Sequence, residues 1–237
     1  MIQINIENVV KRMPLLTEDL GKIFEKAICL YMGIEYDGKY KYSVEAAQAL
    51  VPRLEQLGAL FPSACLHSAK GGARYDFTGL DGRSHLSAKT SKALCGKVAP
   101  QVIGQPQPAL FCEKLGIPFT DVAGLKQYIQ ENITSVLPVL MQHTFDCDTL
   151  YYNKARGTIK FVRLVKPIDW TAFTFSWTKH WSAWNNSSTL KIEGRASGPV
   201  PLVEFQFHSK SRTNMAIRWC YDDFLVLFAG HLSITEL

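Results

Sequence analysis

The chain has 237 residues, 47% of them hydrophobic and 20% charged, which excludes a disordered, collagen-like or coiled-coil protein and fits one globular domain. No apolar run reaches the roughly 18 residues that cross a bilayer, and the N-terminus is polar where a secretory signal is apolar, so we expect a cytoplasmic protein. The net charge of +5 suits a polyanionic partner without proving one, and the six widely spaced cysteines indicate reduced thiols.

Helix signals dominate the first half of the chain. Thr17 is an N-cap residue, and apolar residues follow it at helical spacing until Gly33, so a helix is predicted over residues 17–33. A second helix is predicted over residues 43–57, where Pro52 is expected to kink or split it. Two further helices are predicted over residues 108–115 and 121–141.

Strand signals appear first around Asp81-Gly82, a strong hairpin dipeptide between two short strands predicted over residues 74–78 and 85–90. After residue 146 the pattern is mainly β. Strands are predicted there over residues 158–165, 171–177, 189–195, 202–208 and 216–219. The sequence therefore predicts a mixed α/β (α+β) single domain, in which residues 1–145 hold the helices and the hairpin and residues 146–237 form a β-rich part.

The predicted hairpin brings Asp76 close to Lys89, because the Asp-Gly turn lies midway between them. Asp76 could hold a divalent cation, and Lys89 could activate a water or stabilise charge on a phosphate. Ser87 lies two residues before Lys89 and therefore shares its face of the strand. The alternative is an ordinary cross-strand ion pair on the surface.

These residues, preceded by a helix that bears Glu25, resemble the PD-(D/E)xK nuclease superfamily of restriction-endonuclease-like fold, and most of all its type II restriction endonucleases. The pattern comprises Tyr75-Asp76 and Ser87-Ala88-Lys89 and covers about residues 17–105. The resemblance implies a central mixed sheet flanked by helices and a Mg²⁺-dependent enzyme, with Mn²⁺ as a substitute, that hydrolyses double-stranded DNA at a short specific sequence. It also implies a homodimer and a cognate DNA methyltransferase in a prokaryotic or phage-encoded system.

The chain departs from this family at Ser87, where an acidic residue is usual. Some enzymes of this fold supply an amide or carboxylate from a following segment, and Gln101 and Gln105 are available here. Glu25 is the other candidate for the missing charge. The predicted catalytic residues are accordingly Asp76, Lys89, Ser87, Gln105 and Glu25, with Asp76 and Glu25 as metal ligands.

Two segments of the β-rich part carry residue types that read or position DNA. The first interleaves aromatic and polar residues over 173–186, and the second is a strand-loop-strand over 203–219. The predicted DNA-binding residues are Lys179, His180, Asn185, Asn186, Lys210, Arg212, Asn214 and Arg218. The alternatives are a strand core for the aromatic residues and a solvated hairpin tip for the loop.

Three functions stay open at this point. The first is the active endonuclease, and the second is a catalytically inactive, sequence- or modification-specific DNA-binding protein of the same fold, which Ser87 makes credible. The third is a structural or RNA-binding protein of mixed fold.

Overall fold

The computed structural model describes residues 17–62, 64–69, 73–196, 198–208 and 213–237. Within this part of the chain there are seven α-helices and eleven strands. The helices are α1 (Thr17–Met32), α2 (Val44–Gln48), α3 (Leu57–Leu60), α4 (Pro108–Leu115), α5 (Val122–Glu131), α6 (Ile133–Phe145) and α7 (Tyr221–Leu227). The strands are β1 (Cys65–His67), β2 (Phe77–Gly79), β3 (His85–Ser91), β4 (Lys97–Val98), β5 (Asp148–Asn153), β6 (Thr158–Leu164), β7 (Phe175–Trp177), β8 (Ser187–Ile192), β9 (Val200–Phe207), β10 (Met215–Cys220) and β11 (Leu232–Glu236).

The strands form two sheets. The first has six strands in the order β1-β2-β3-β5-β6-β11, and the second has five in the order β4-β10-β9-β8-β7. Within the first sheet β3 pairs with β5 in parallel, and the other pairs are antiparallel. The predicted α/β class with a central mixed sheet is therefore confirmed. The division of the chain at residue 145 stays a prediction.

Alternation along the strands of the first sheet gives it two buried faces. One face, with Leu86 on β3 and Leu150 on β5, packs under α1 in a core that includes Phe24 and Ile28. The short helices α2 and α3 join this core, whereas the opposite face presents Tyr151 to a second core, which α4 to α7 share with the second sheet. The first sheet thus separates two cores.

Several predicted elements differ from the observed ones for local reasons. The predicted helix over 43–57 is broken into α2, a 3₁₀ turn at Val51–Leu54 that contains Pro52, and α3. The predicted helix over 121–141 is two helices, because the backbone leaves the helical region at Asn132 (φ −119°), whose side chain donates to the Tyr128 carbonyl.

The β-rich part also needs correction. The strand predicted over 171–177 is shorter than expected, because a 3₁₀ turn at Trp170–Ala172 replaces its start and β7 begins at Phe175. The short strands β1 and β4, the buried strand β5 and the terminal strand β11 were not predicted. None of the helices in the described ranges is long and apolar enough to cross a membrane.

A buried carboxylate fastens the loop that follows β3. Asp222, at the start of α7, accepts hydrogen bonds from the Gly96 backbone N–H (2.6 Å), the Tyr151 hydroxyl (3.0 Å) and the Asn153 amide (3.0 Å). Residue 96 must be glycine, because a Cβ there would overlap the Tyr151 hydroxyl oxygen and lie 2.7 Å from the Asp222 carboxylate. The two sheets are thereby linked beside the end of β3.

We expect Gly96→Ala to lower the free energy of unfolding by about 1–3 kcal/mol, because the added methyl group must displace part of this buried network. Gly230→Ala is the matched control, since nothing lies within 4 Å of the Cβ it would add. Urea unfolding followed by circular dichroism measures both. Equal stability of Gly96→Ala and the wild type would contradict the prediction.

Candidate active site

The β2–β3 hairpin positions Asp76. The Asp81 carboxylate accepts the backbone N–H groups of Arg83 and Ser84, both at 2.9 Å, and Gly82 adopts a positive φ of 66° that completes the turn. Strand β2 begins at Phe77, later than predicted. Asp76 still continues the ladder, because its N–H donates to the Leu86 carbonyl of β3 (3.1 Å).

Asp76 Oδ2 accepts two hydrogen bonds from β3, from the Ser87 hydroxyl (2.9 Å) and from the Ala88 backbone N–H (2.7 Å). Burial raises the pKa of Asp76, while the charge of Lys89 and these two hydrogen bonds act in the opposite direction. Ser87 is buried and therefore serves as a hydrogen-bond donor to the carboxylate. The net effect of the surroundings is a carboxyl group that ionises less readily than usual.

Asp76 lies in a cleft of about 870 Å³, which we call the basic cleft. The predicted site residues Ser87, Lys89, Gln105 and Arg218 line it as well. Asp76 is the one acidic residue among the described lining residues. The basic ones are Arg74, Lys89, Lys92, Lys97 and Arg218. Such an excess of cations suits phosphate groups.

Lys89 stands opposite Tyr151 of β5 and is half-buried. It makes no hydrogen bond or ion pair with the described residues, and its charge acts on Asp76. Its ammonium group is therefore available to a ligand in the basic cleft.

Glu25 of α1 is buried but does not line the basic cleft. Its carboxylate is bound by Lys22 Nζ (3.0 Å) and by His67 Nε2 (3.2 Å). His67 Nδ1 accepts the Asp37 backbone N–H (2.8 Å), so Nε2 is the donor to Glu25. The negative charge of Glu25 raises the pKa of Asp76, which shows that the two carboxylates interact electrostatically.

The two glutamine candidates differ in burial. Gln105 is exposed on the rim, whereas Gln101 is only 5% exposed and lines the same cleft. The Gln101 amide nitrogen contacts Cys147 Sγ (3.1 Å), and its Oε1 is buried without a partner in the described structure. The next residue, Val102, has a φ of 61°, an uncommon conformation for a β-branched side chain. Gln101 therefore offers a fixed, unused amide oxygen.

Asp76 and Gln101 are oxygen-bearing residues of the kind that bind a magnesium ion together with waters and phosphates. The described residues contain no group of three or more His, Cys, Asp or Glu side chains that could hold a metal. Mg²⁺ is commonly bound by one or two carboxylates together with waters and substrate phosphates. Asp76 supplies one carboxylate, and Gln101 lines the same cleft with a neutral Oε1 that is buried and has no partner among the described residues.

The predicted DNA-binding residues are divided between two locations. Arg218 is in the basic cleft, where its Nη2 donates to Glu204 (2.6 Å). Asn214 does not line the basic cleft, and its Oδ1 is buried without a partner in the described structure. Lys210 and Arg212 fall outside the described residues.

The other four predicted DNA-binding residues do not line the basic cleft and are exposed on the segment between β7 and β8. They are Lys179, His180, Asn185 and Asn186. This segment packs against α5, whose Gln130 amide donates to the Lys179 carbonyl (2.7 Å). Trp184, in the same segment, is only 1% exposed and belongs to the core, so its ring is not available to stack on bases.

The sequence analysis missed the cations Arg74, Lys92 and Lys97. The strand predicted over residues 74–78 offered a signal for Arg74, because residues two apart on a strand point to the same side and Asp76 follows two residues later. Lys97 could not be found in this way, because β4 joins the second sheet through its pairing with β10.

One comparison with known proteins gives a clear relative. The chain is 40% identical over 226 residues to the type II restriction enzyme CviAII of Paramecium bursaria Chlorella virus 1, and the match covers 94% of this chain. The chain spans 64% of the length of that relative. No family model matches the sequence, and no solved structure matches it.

We expect Asp76→Asn to raise the stability of the folded protein at neutral pH, because the pKa of Asp76 is higher in the folded state than its ordinary value of 3.8. A carboxyl with a raised folded pKa loses stability as the pH rises from 3.8 through that folded pKa. The difference in the free energy of unfolding between Asp76→Asn and the wild type should therefore be absent below pH 3.8, increase above that pH and then become constant. Urea unfolding at a series of pH values measures this difference.

Asp81→Asn is the matched control of opposite sign. Hydrogen bonds from Ser84 and Arg83 lower the pKa of Asp81 to about 2, so this carboxylate stabilises the fold above pH 3.8 and loses that effect as the pH falls toward 2. Asp81→Asn should therefore destabilise at neutral pH. The same pH dependence for both variants would contradict the assignment of Asp76 as a carboxyl that is costly to ionise.

Proposed function

We propose that this protein is a Mg²⁺-dependent type II restriction endonuclease that hydrolyses phosphodiester bonds of double-stranded DNA at a short specific sequence. The observation that carries the proposal is the 40% identity over 94% of the chain to an enzyme of that name. A cleft that combines one carboxylate with five basic residues supports it, because it suits a polyanionic substrate.

In this proposal Asp76 and Lys89 perform the chemistry. Lys89, which has no partner among the described residues, orients or activates the attacking water. The hydrogen bonds from Ser87 and Ala88 hold the Asp76 carboxylate in a fixed orientation at the floor of the basic cleft. Ser87 occupies the position at which the family usually has an acidic residue, and here it donates a hydrogen bond to Asp76.

Mg²⁺, when bound, would neutralise negative charge that develops on the phosphate. Asp76 would hold it, and Mn²⁺ would substitute. Gln101 is better suited than Gln105 to complete the shell, because its oxygen is fixed, buried and unused. Glu25 acts on the site through its charge, since Lys22 and His67 already bind its carboxylate.

The proposed partners follow from the substrate. Cutting both strands of a palindrome is most simply achieved by a homodimer, because the two-fold symmetry of the DNA matches that of the protein. A DNA methyltransferase of the same specificity would protect the DNA of the producing cell or virus.

The alternative is a catalytically inactive DNA-binding protein of the same fold, favoured by Ser87. The decisive experiment incubates the purified protein with a sequenced duplex of several kilobases, methylated or unmethylated, in Mg²⁺ and in EDTA, and sequences any new ends. Discrete fragments only in Mg²⁺ support the endonuclease. Binding with intact DNA under every condition supports the inactive protein.

We expect Asp76→Asn and Lys89→Ala to slow cleavage by at least two to three orders of magnitude, because the first removes the carboxylate that would hold the metal and the second removes a cation beside the reacting phosphate. Duplex binding should stay within about tenfold, or 1.4 kcal/mol. Single-turnover cleavage and a binding titration in EDTA measure the two effects. Lys154→Ala is the matched control for Lys89→Ala, since Lys154 is exposed and does not line the basic cleft. Cleavage by both site variants at the wild-type rate would refute the site.

We also expect Asn214→Ala to reduce discrimination between the cognate and a single-mismatch duplex by roughly 1–3 kcal/mol, as the loss of a base contact does. Arg212→Ala should behave similarly. The comparison is Asn185→Ala, which removes an exposed amide away from the basic cleft. A loss of discrimination in Asn185→Ala alone would move the reading surface to the segment between β7 and β8.

A further inference from the structure

Arg74 lies in the basic cleft two residues before Asp76, and the proposed function gives it no task. Its side chain is 41% exposed. Both side chains line the basic cleft, so Arg74 and Asp76 address the same space. A phosphate that reaches Asp76 would therefore come close to the Arg74 guanidinium.

Neighbouring side chains hold this guanidinium in place. Arg74 Nε donates to Asp146 Oδ2, and the Tyr75 hydroxyl donates to the same oxygen (3.1 Å). The Tyr75 ring stacks on His85, with ring centres 4.0 Å apart and planes 13° apart. The guanidinium also lies 5.8 Å from the Tyr75 ring centre. An arginine fixed in this way loses little conformational entropy when it binds a ligand.

The two terminal nitrogens of Arg74 have no hydrogen-bond partner in the described part of the chain, since Asp146 engages only Nε. Two other cations of the basic cleft are already paired, because Lys97 (3.0 Å) and Arg218 (2.6 Å) both bind Glu204. Arg74 therefore presents a planar pair of donors, which matches the oxygens of a phosphate.

We propose that Arg74 binds the non-bridging oxygens of the phosphate that is hydrolysed in the basic cleft, an inference that rests on the proposed endonuclease function. As the water oxygen bonds to phosphorus and one P–O ester bond breaks, the water loses a proton to the solvent and the departing oxygen gains one. Arg74 transfers no proton. It donates hydrogen bonds to the oxygens whose negative charge grows in the transition state.

The test compares Arg74→Ala and Arg74→Lys with Arg163→Ala. Arg163 is the matched control, because it also binds an aspartate, Asp148, through two hydrogen bonds and does not line the basic cleft. Two quantities are measured: the dependence of duplex binding on salt concentration in EDTA, and the single-turnover cleavage rate in Mg²⁺.

Arg74→Ala should reduce the magnitude of the slope of log K against log salt by about one, the loss expected for one phosphate contact. It should also slow cleavage by about 100- to 1,000-fold. Arg74→Lys should recover most of the slope but little of the rate, since an ammonium group lacks the planar pair of donors. Arg163→Ala should change neither quantity.

A wild-type slope and rate in Arg74→Ala would overturn the inference. A reduced slope with a wild-type rate would overturn it as well, because Arg74 would then contact a phosphate that is not hydrolysed. If Arg74→Ala fails to fold, Arg74→Lys decides: cleavage at the wild-type rate contradicts the inference. The wild-type protein in the same assays separates the two levels, since DNA that stays intact with it in Mg²⁺ would refute the proposed function itself. Cleavage by Asp76→Asn at the wild-type rate would refute only the assignment of the site.

Discussion

The arrangement of the site depends on one partly buried carboxylate between two strands. The backbone N–H of Asp76 donates to a carbonyl of β3. Its side-chain carboxylate accepts hydrogen bonds from the Ser87 hydroxyl and the Ala88 N–H. Burial disfavours its ionised form, and the Lys89 charge and the two hydrogen bonds partly compensate. Such a group adds nothing to stability at neutral pH, which fits a carboxylate placed to bind a ligand.

The surroundings of Asp76 are fixed from both sides of the first sheet. On one side Glu25 is held by Lys22 and by a histidine whose tautomer is set by a backbone N–H. On the other side the buried Asp222 fastens the loop after β3 and brings β4 to the second sheet. The basic cleft therefore lies between β3 of the first sheet and β4 and β10 of the second.

The cations of the basic cleft differ in their ion-pair partners, and this difference suggests that they have separate roles. Lys97 and Arg218 share the buried Glu204 and so connect β4, β9 and β10. Lys89 has no such partner among the described residues, and Arg74 is fixed through Nε alone. A cleft with both structural and uncommitted cations can attract a polyanion while it keeps its shape.

Local signals in the sequence determined α1, α4 and the Asp-Gly hairpin, because capping, helical spacing and turn chemistry depend only on near neighbours. The proximity of Asp76, Ser87 and Lys89 followed from the same hairpin.

Tertiary structure decided which residues far apart in the chain lie close together in the fold. It paired the unpredicted β5 in parallel with β3, buried Trp184 in the core, and brought Arg218 and Lys89 into one cleft. It also chose Gln101 over Gln105 as the buried amide, since burial depends on packing against Cys147 and His143, more than forty residues away. Such contacts produce no periodic pattern in the sequence, because they join residues that are far apart in the chain.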